Sequence, residues 1–239
     1  MARGVFPSSR MALAEQYAAL LADAGVERGL IGPREVPRLW DRHVLNSAAV
    51  STWIPEGARV CDIGSGAGLP GLVLALARPD VQVTLVEPLL RRTTFLDEAV
   101  ALLGLTEQVE VVRARADALH GERLFDVVTS RAVAPLERLL GWSMPLVAPH
   151  GALVAMKGSS VADEVERSRG VLHGWGCAEP EIGRLGAGVL EEPTWVLRVA
   201  WADPSSVSWP PAPGTSAGRA SRNGGRRPGP RSGRRRPQA

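Results

Sequence analysis

The sequence predicts a Rossmann-like α/β fold: a mostly parallel sheet that ends in an antiparallel hairpin and is preceded by N-terminal helices. Three observations predict it. From Ala58 onward, short β-branched runs alternate with longer helical segments, the pattern of βαβ units. The first of these runs leads straight into a glycine-rich turn. The last two apolar segments follow one another with no helix between them.

The elements follow in order. Residues 10–24 are rich in Ala and Leu and stop at Gly25, which predicts a helix with a glycine stop signal. Between Pro33 and Val50, the apolar residues Val36, Leu39, Trp40, Val44 and Ala48 recur at helical spacing and predict a second helix. The first strand is expected over 59–63, followed by the glycine turn and a helix over 69–77. The second strand, 81–86, precedes a helix over 89–103. Residues 109–112 are the third strand and 125–129 the fourth, the latter followed by a helix around 136–146. Residues 151–157 are the fifth strand, followed by a helix over about 161–173. Segments at about 176–183 and 194–201, separated by a Gly-rich stretch, form the edge hairpin. This divides the chain into a helical cap (1–55), a ligand-binding sheet domain (56–203) and a tail (204–239).

Composition narrows the function. Apolar residues make up 45% of the chain, enough for a full core. No apolar run is long enough to span a membrane, and the first residues lack the apolar stretch of a signal peptide. Cys61 and Cys177 are the two cysteines, without metal-ligand spacing, so neither a metal site nor a disulfide framework is expected and a reducing, cytoplasmic setting is. Eight arginines and no acid lie beyond residue 203, so the remainder holds 20 basic against 25 acidic residues. The basic pI of about 9.5 therefore belongs to the tail. With almost no core-forming residue, the tail is expected to be disordered. It is either a phosphate-neutralising tether for RNA or a neutral appendage.

The densest chemistry lies in Val60-Cys-Asp-Ile-Gly-Ser-Gly-Ala-Gly-Leu-Pro-Gly71. Glycines at the first strand–helix turn of an open α/β sheet let the backbone curl tightly and approach a ligand. Glu87, 19 residues beyond Gly68 at the end of the second strand, can accept both hydroxyls of a ribose. Gly66, Gly68 and Gly71 also satisfy the dinucleotide pattern, so a nicotinamide cofactor competes, as does a purely structural turn. Asp62, two residues before Gly64, favours a different ligand. The run resembles motif I of class I methyltransferases, whose acid serves the amino-acid end of S-adenosylmethionine.

Further strings resemble one family, the small-subunit ribosomal RNA methyltransferase G family (RsmG, also called GidB). They are Asp41-Arg-His-Val-Leu-Asn-Ser47, the extended turn through Leu69-Pro-Gly71, Arg91-Arg92 with Phe95-Leu96, Thr129-Ser-Arg-Ala-Val-Ala134 and Ala155-Met-Lys-Gly158. Order and spacing agree over about residues 10–201. The resemblance implies a class I methyltransferase sheet and methyl transfer to N7 of a guanine in the decoding region of 16S ribosomal RNA. It implies cofactor contacts by Asp62, Gly64, Gly66, Gly68, Leu69, Glu87, Ala116, Asp117 and Arg131. The partner is then 16S rRNA or the small ribosomal subunit, met by a monomer that binds no membrane. Two departures stand out: Asn46 replaces the family's usual Asp, and Glu191-Glu-Pro-Thr194 replaces a common Glu-Arg-His.

Guanine N7 carries a lone pair and no proton, so no general base is expected; catalysis comes from orientation and electrostatics. Arg42, His43, Arg131 and Lys157 are the candidate RNA-binding residues. Each has a plainer role available: a helix-capping or core-edge histidine, or surface ion pairs. Asp117 could instead cap a helix. Arg91 and Arg92 are expected on a solvated helix face, and most of the seven tryptophans in packing. A small-molecule or protein methyltransferase, and a non-catalytic nucleotide-binding module, are the alternative functions.

Overall fold

Strands that are apolar along nearly their whole length demand cover on both faces. The computed structural model, which describes residues 5–131, 133–188 and 190–207, has seven strands; the central ones receive it, whereas the edge strands remain partly exposed. The seven are β1 (Arg59–Ile63), β2 (Gln82–Val86), β3 (Val109–Val112), β4 (Phe125–Arg131), β5 (Val147–Lys157), β6 (Glu181–Leu185) and β7 (Thr194–Ala200). Their order across the sheet is β3-β2-β1-β4-β5-β7-β6. The first five are parallel; β7 runs antiparallel to both β5 and β6, the expected edge hairpin.

Side chains alternate between two apolar clusters. Val60, Val83, Leu85, Val127 and Val154 face one, with α1 (Met11–Ala22), α4 (Gly71–Ala77) and α5 (Leu90–Leu102) packed on it. Cys61, Ile63, Val86, Val128 and Leu153 face the other, covered by α6 (Leu136–Ser143), α7 (Val161–Arg167) and α8 (Arg169–Gly174). The cap shares the first cluster, since Ala14, Tyr17, Ala18 and Leu21 of α1 are buried in it. Trp53 lies against Gly183 of β6, where any side chain would collide with its ring.

Several expected boundaries move for identifiable reasons. The helix expected from Pro33 to Val50 is a composite. A 3-10 segment (Pro33–Arg38) contains Pro37, which lacks the N–H that a regular helix needs. A π-helix follows over Leu39–Leu45, and then α3 (Asn46–Ala49) and a 3-10 turn over Val50–Trp53. The short helix α2 (Ala24–Glu27) continues past α1 with Gly25 buried inside it. The helix expected over 161–173 divides at Ser168 into α7 and α8. The strand expected at 176–183 begins only at Glu181, just after Pro180, although Cys177 makes one bridge to Trp201.

No helix among the described residues is long and apolar enough to cross a membrane. The expected cationic tail lies outside the described residues from 208 on. Its first residues, Pro204–Ser206, form a 3-10 turn capped by Asp203, which accepts from the Ser205 N–H at 2.9 Å.

Packing around the glycines yields a paired prediction. A Cβ at Gly71 would collide with Leu85 and lie 2.7 Å from Asp62 Oδ2, whereas one at Gly141 in α6 meets nothing within 4 Å. Gly71→Ala is expected to destabilise by about 1–3 kcal/mol. Gly141→Ala is expected to stabilise by about 0.5–1 kcal/mol by restricting the unfolded chain. Thermal unfolding of the two variants checks both signs.

Candidate active site

The carboxyl ends of β1 and β4, where the strand order reverses, form the crevice in which open α/β sheets bind ligands. β1 ends at Ile63 and the chain turns at once through Gly64. Gly64 has φ 68° and its Cβ would come 3.1 Å from Val133, so both conformation and space call for glycine there. Its N–H donates to the Val86 carbonyl at 2.8 Å, tying the turn to the end of β2. Farther along, the Tyr17 hydroxyl donates to the Ala67 carbonyl at 2.6 Å, so the N-terminal helix pins the turn from behind. Burial raises the Tyr17 phenol well above its ordinary pKa, which keeps that hydroxyl a donor.

Asp62 lies beneath this turn, completely buried. Its Oδ2 accepts from the Gly71 N–H at 3.0 Å, at the start of α4. Its Oδ1 has no partner among the described residues. Burial pushes its pKa up to about 7, against the opposing pull of the Gly71 N–H. Glu87 is also buried. It accepts from the Gly66 N–H at 3.1 Å and the Leu89 N–H at 3.1 Å, and Arg92 approaches it at 3.4 Å. Arg92 therefore does not sit on a purely solvated helix face, as the sequence suggested.

In front of the turn is a cleft of about 620 Å³. It brings together Gly64, Gly66, Leu69, Glu87, Ala116, Asp117, His43 and Arg131. Asp62 and Gly68 are not on its wall; they stand behind it and shape it. Asp117 is half-exposed and pairs with Arg115 at 3.3 Å. It does not cap the 3-10 turn Ala116–Leu119, whose N-cap position is Arg115.

A second cleft of about 710 Å³ adjoins the first, sharing Arg131 and Val133. Arg42, Arg131, Lys157 and Trp195 line it. Lys157 is nearly buried, and its ammonium donates to Glu164 Oε1 at 3.0 Å and to the Ala134 carbonyl at 3.2 Å. The same Glu164 oxygen accepts from the Leu136 N–H at 2.6 Å. Lys157 thus clamps the loop after β4 and directs most of its hydrogen bonding into the protein.

His43 is neither a cap nor a bystander. Its Nε2 is 2.9 Å from Glu35 Oε2, and its Nδ1 is 2.8 Å from Arg131 Nη2. An arginine only donates, so Nδ1 must accept and Nε2 must carry the proton given to Glu35. Burial and neighbouring Arg131 hold the His43 pKa below its ordinary value, against the pull of Glu35. Arg42 also approaches Glu35, at 3.5 Å. Arg131 donates as well to the Arg42 carbonyl at 3.2 Å, while its Nη1 is buried without a partner among the described residues.

The two departures from the family pattern meet across the second cleft. Thr194 donates to Asn46 Oδ1 at 3.1 Å, and the Glu191 N–H to Asp41 Oδ1 at 3.2 Å. An amide at position 46 is sufficient acceptor for this neutral bridge.

Residues 10–176 match the model of the GidB family, rRNA small subunit methyltransferase G. The chain belongs to this family. A ribosomal RNA small subunit methyltransferase G from Nocardioides sp. is 65% identical over 210 residues, covering 88% of this chain and 84% of that relative. One from Salinispora tropica is 56% identical, covering 83% and 84%. Among solved structures, an O-methyltransferase from Thermotoga maritima aligns with a TM-score of 0.54 at 14% identity, over 70% of each chain. TYW2 of M. jannaschii in complex with AdoMet aligns with a TM-score of 0.52 at 16% identity, over 66% of this chain and 74% of that one. These likenesses establish a class I methyltransferase fold.

S-adenosylmethionine is the cofactor of this family, and the cleft suits it. The unpartnered Asp62 oxygen behind the turn matches a cationic amino acid end, and the Glu87 carboxylate a ribose. Ile63, Leu89 and Ala116 provide an apolar wall for a flat base. Tyr17 and Glu35 were not singled out by sequence reasoning, and Arg92 was assigned only to a solvated helix face, because each acts through a contact that spacing along the chain does not reveal.

The buried Asp62 carries a pH prediction. A carboxyl whose pKa rises on folding stabilises the fold while neutral, and that contribution is lost as the pH climbs through about 7. Asp62→Asn is therefore expected to match the parent near pH 4, to gain thermal stability relative to it progressively as the pH rises to about 7, and to keep a constant advantage above that. Its affinity for S-adenosylmethionine should fall and lose its pH dependence, whereas the parent should bind more weakly as the pH drops below 7. Calorimetry across that range measures both.

Proposed function

We propose that this protein transfers a methyl group from S-adenosylmethionine to N7 of a guanine in the decoding region of 16S ribosomal RNA. The observation that carries this reading is the joining of two clefts at Arg131, one shaped for the cofactor and the other lined by five basic side chains, Arg38, Arg42, Arg131, Lys157 and Arg184, and four carboxylates. The relatives named as small-subunit ribosomal RNA methyltransferases support the substrate class.

Bound S-adenosylmethionine supplies an electrophilic methyl group on a sulfonium. The protein's task is to hold both partners. The backbone of Gly64, Gly66 and Leu69 receives the amino acid end, with the Asp62 carboxyl and Gly68 shaping the turn behind it; Glu87 receives the ribose, and Ala116 with Asp117 the adenine. Arg131 orients at the junction. Guanine N7 has no proton to lose, so no residue serves as a base, and rate enhancement comes from alignment and charge placement. Arg42, Arg131 and Lys157 line the second cleft among the carboxylates of Asp41, Glu164, Glu191 and Glu192, and His43 lines the first; these cations suit phosphates and guanine O6. Because N7 must stay free to attack, the base is held through its other atoms. The guanine must be unstacked or looped out to reach the pocket. The protein works as a cytoplasmic monomer on naked RNA or the small subunit, with the arginine-rich tail adding salt-sensitive attraction to phosphates.

Deleting the gene is expected to remove one guanine methylation from 16S rRNA, read by mass spectrometry of nuclease fragments. Reintroducing the parent chain should restore the mark. Arg131→Ala should restore it poorly, with kcat/KM lower by about 100-fold. Persistence of every 16S methylation in the deletion strain would refute the assignment.

A further inference from the structure

Glu35 and His43 are eight residues apart in sequence, yet their side chains are in hydrogen-bond contact at 2.9 Å. In a regular helix the same separation would span about 12 Å along the axis. The contact exists because the chain between them passes from a 3-10 segment with an internal proline into a π-helix. π-Helical turns commonly occur at functional sites, where they re-aim side chains. Here the irregularity lets one carboxylate reach both Arg42 and His43.

We infer that Glu35 is a positioning residue for methyl transfer: it fixes the His43 tautomer, so that Nδ1 accepts from Arg131 and holds that guanidinium at the junction of the two clefts. The inference rests on the reading of Arg131 given above. The order of hydrogen bonds leaves little freedom. Glu35 accepts, so Nε2 carries the proton; Nδ1 is then a lone pair, and Arg131 Nη2 is the donor that meets it. With Nη2 occupied by His43 and the Arg42 carbonyl, Nη1 is left as a buried donor without a partner among the described residues. Such a donor is costly in isolation and ready to meet an oxygen acceptor brought by a ligand.

The charged groups facing His43 are Glu35 on the preceding 3-10 segment, Arg42 beside it and Arg131 at the end of β4. Protonating His43 would put an N–H at Nδ1, donor against donor, and break its contact with Arg131. The relay therefore operates above the histidine's midpoint and fails in acid. Burial and Arg131 lower that midpoint, and Glu35 opposes them. Removing the Glu35 charge should shift it to lower pH.

Two measurements on the full chain test this. The first is ¹⁵N-imidazole NMR without ligand, with His43 assigned by signal loss in His43→Gln. A neutral Nε2–H tautomer near pH 7.5 is expected, with a titration midpoint that falls in Glu35→Gln and rises in Arg131→Gln. An Nδ1–H tautomer, or a midpoint unmoved by both variants, would overturn the inference. The second is a double-mutant cycle on methyl transfer to small-subunit particles. Glu35→Ala should lower kcat/KM by about tenfold or more in the parent and by less than about twofold in an Arg131→Ala background. Glu35→Gln, whose amide oxygen can still accept from Nε2, should retain most activity, with the acid limb of its pH profile moved down. Equal losses in both backgrounds would mean that Glu35 does not act through Arg131. A parent chain inactive on the particles would defeat the proposed substrate, and the NMR arm would still decide the role of Glu35.

Discussion

The active cleft depends on a constraint imposed by a short piece of backbone. Between Ile63 and Gly71 the chain must leave a buried strand, reverse and enter a helix with almost no side chain in the way. Three separate elements hold it there. The Asp62 carboxylate reaches forward to the Gly71 N–H, Glu87 at the end of β2 receives the Gly66 N–H, and Tyr17 comes from the N-terminal helix to the Ala67 carbonyl. Two of these partners are buried carboxylates, which are expensive to desolvate without compensation. The incomplete compensation of Asp62 is understandable if a cationic ligand group completes it.

The fold was readable from the sequence where hydrophobic period and turn chemistry agreed. β1 and β3 occupy the residues the pattern marked out, and β2 and the edge hairpin depart by only a few residues. The signal failed where a local rule was broken. Pro37 sits inside a stretch whose apolar residues still recur at helical spacing, so the periodicity survived while the regular helix did not. The site was legible in its backbone part, because glycines and the acids around them are spaced along the chain. Glu35 and Tyr17 escaped notice because their partners lie across the fold: Ala67 is 50 residues from Tyr17, and Arg131 is joined to Glu35 only through His43.

The basic residues divide into two kinds once their partners are known. Lys157 and Arg131 are largely committed to internal contacts and are therefore fixed in space before any RNA arrives. Arg42 remains half-exposed, attached only loosely to Glu35. Preorganised cations favour precise alignment at the reacting base, whereas loose ones adapt to a phosphate backbone.

The bridges from Asn46 to Thr194 and from Asp41 to the Glu191 N–H join the helical cap to the hairpin at the far side of the sheet. Neither is an ion pair between two charged side chains. Ionic strength, which dissolves RNA complexes by restoring counterions to phosphates, has little hold on such links. The exposed Arg38–Glu192 pair, 3.9 Å apart between the same two walls, is the contact that concentrated electrolyte would loosen, leaving the two bridges to keep the spacing of the groove while a polyanionic product departs.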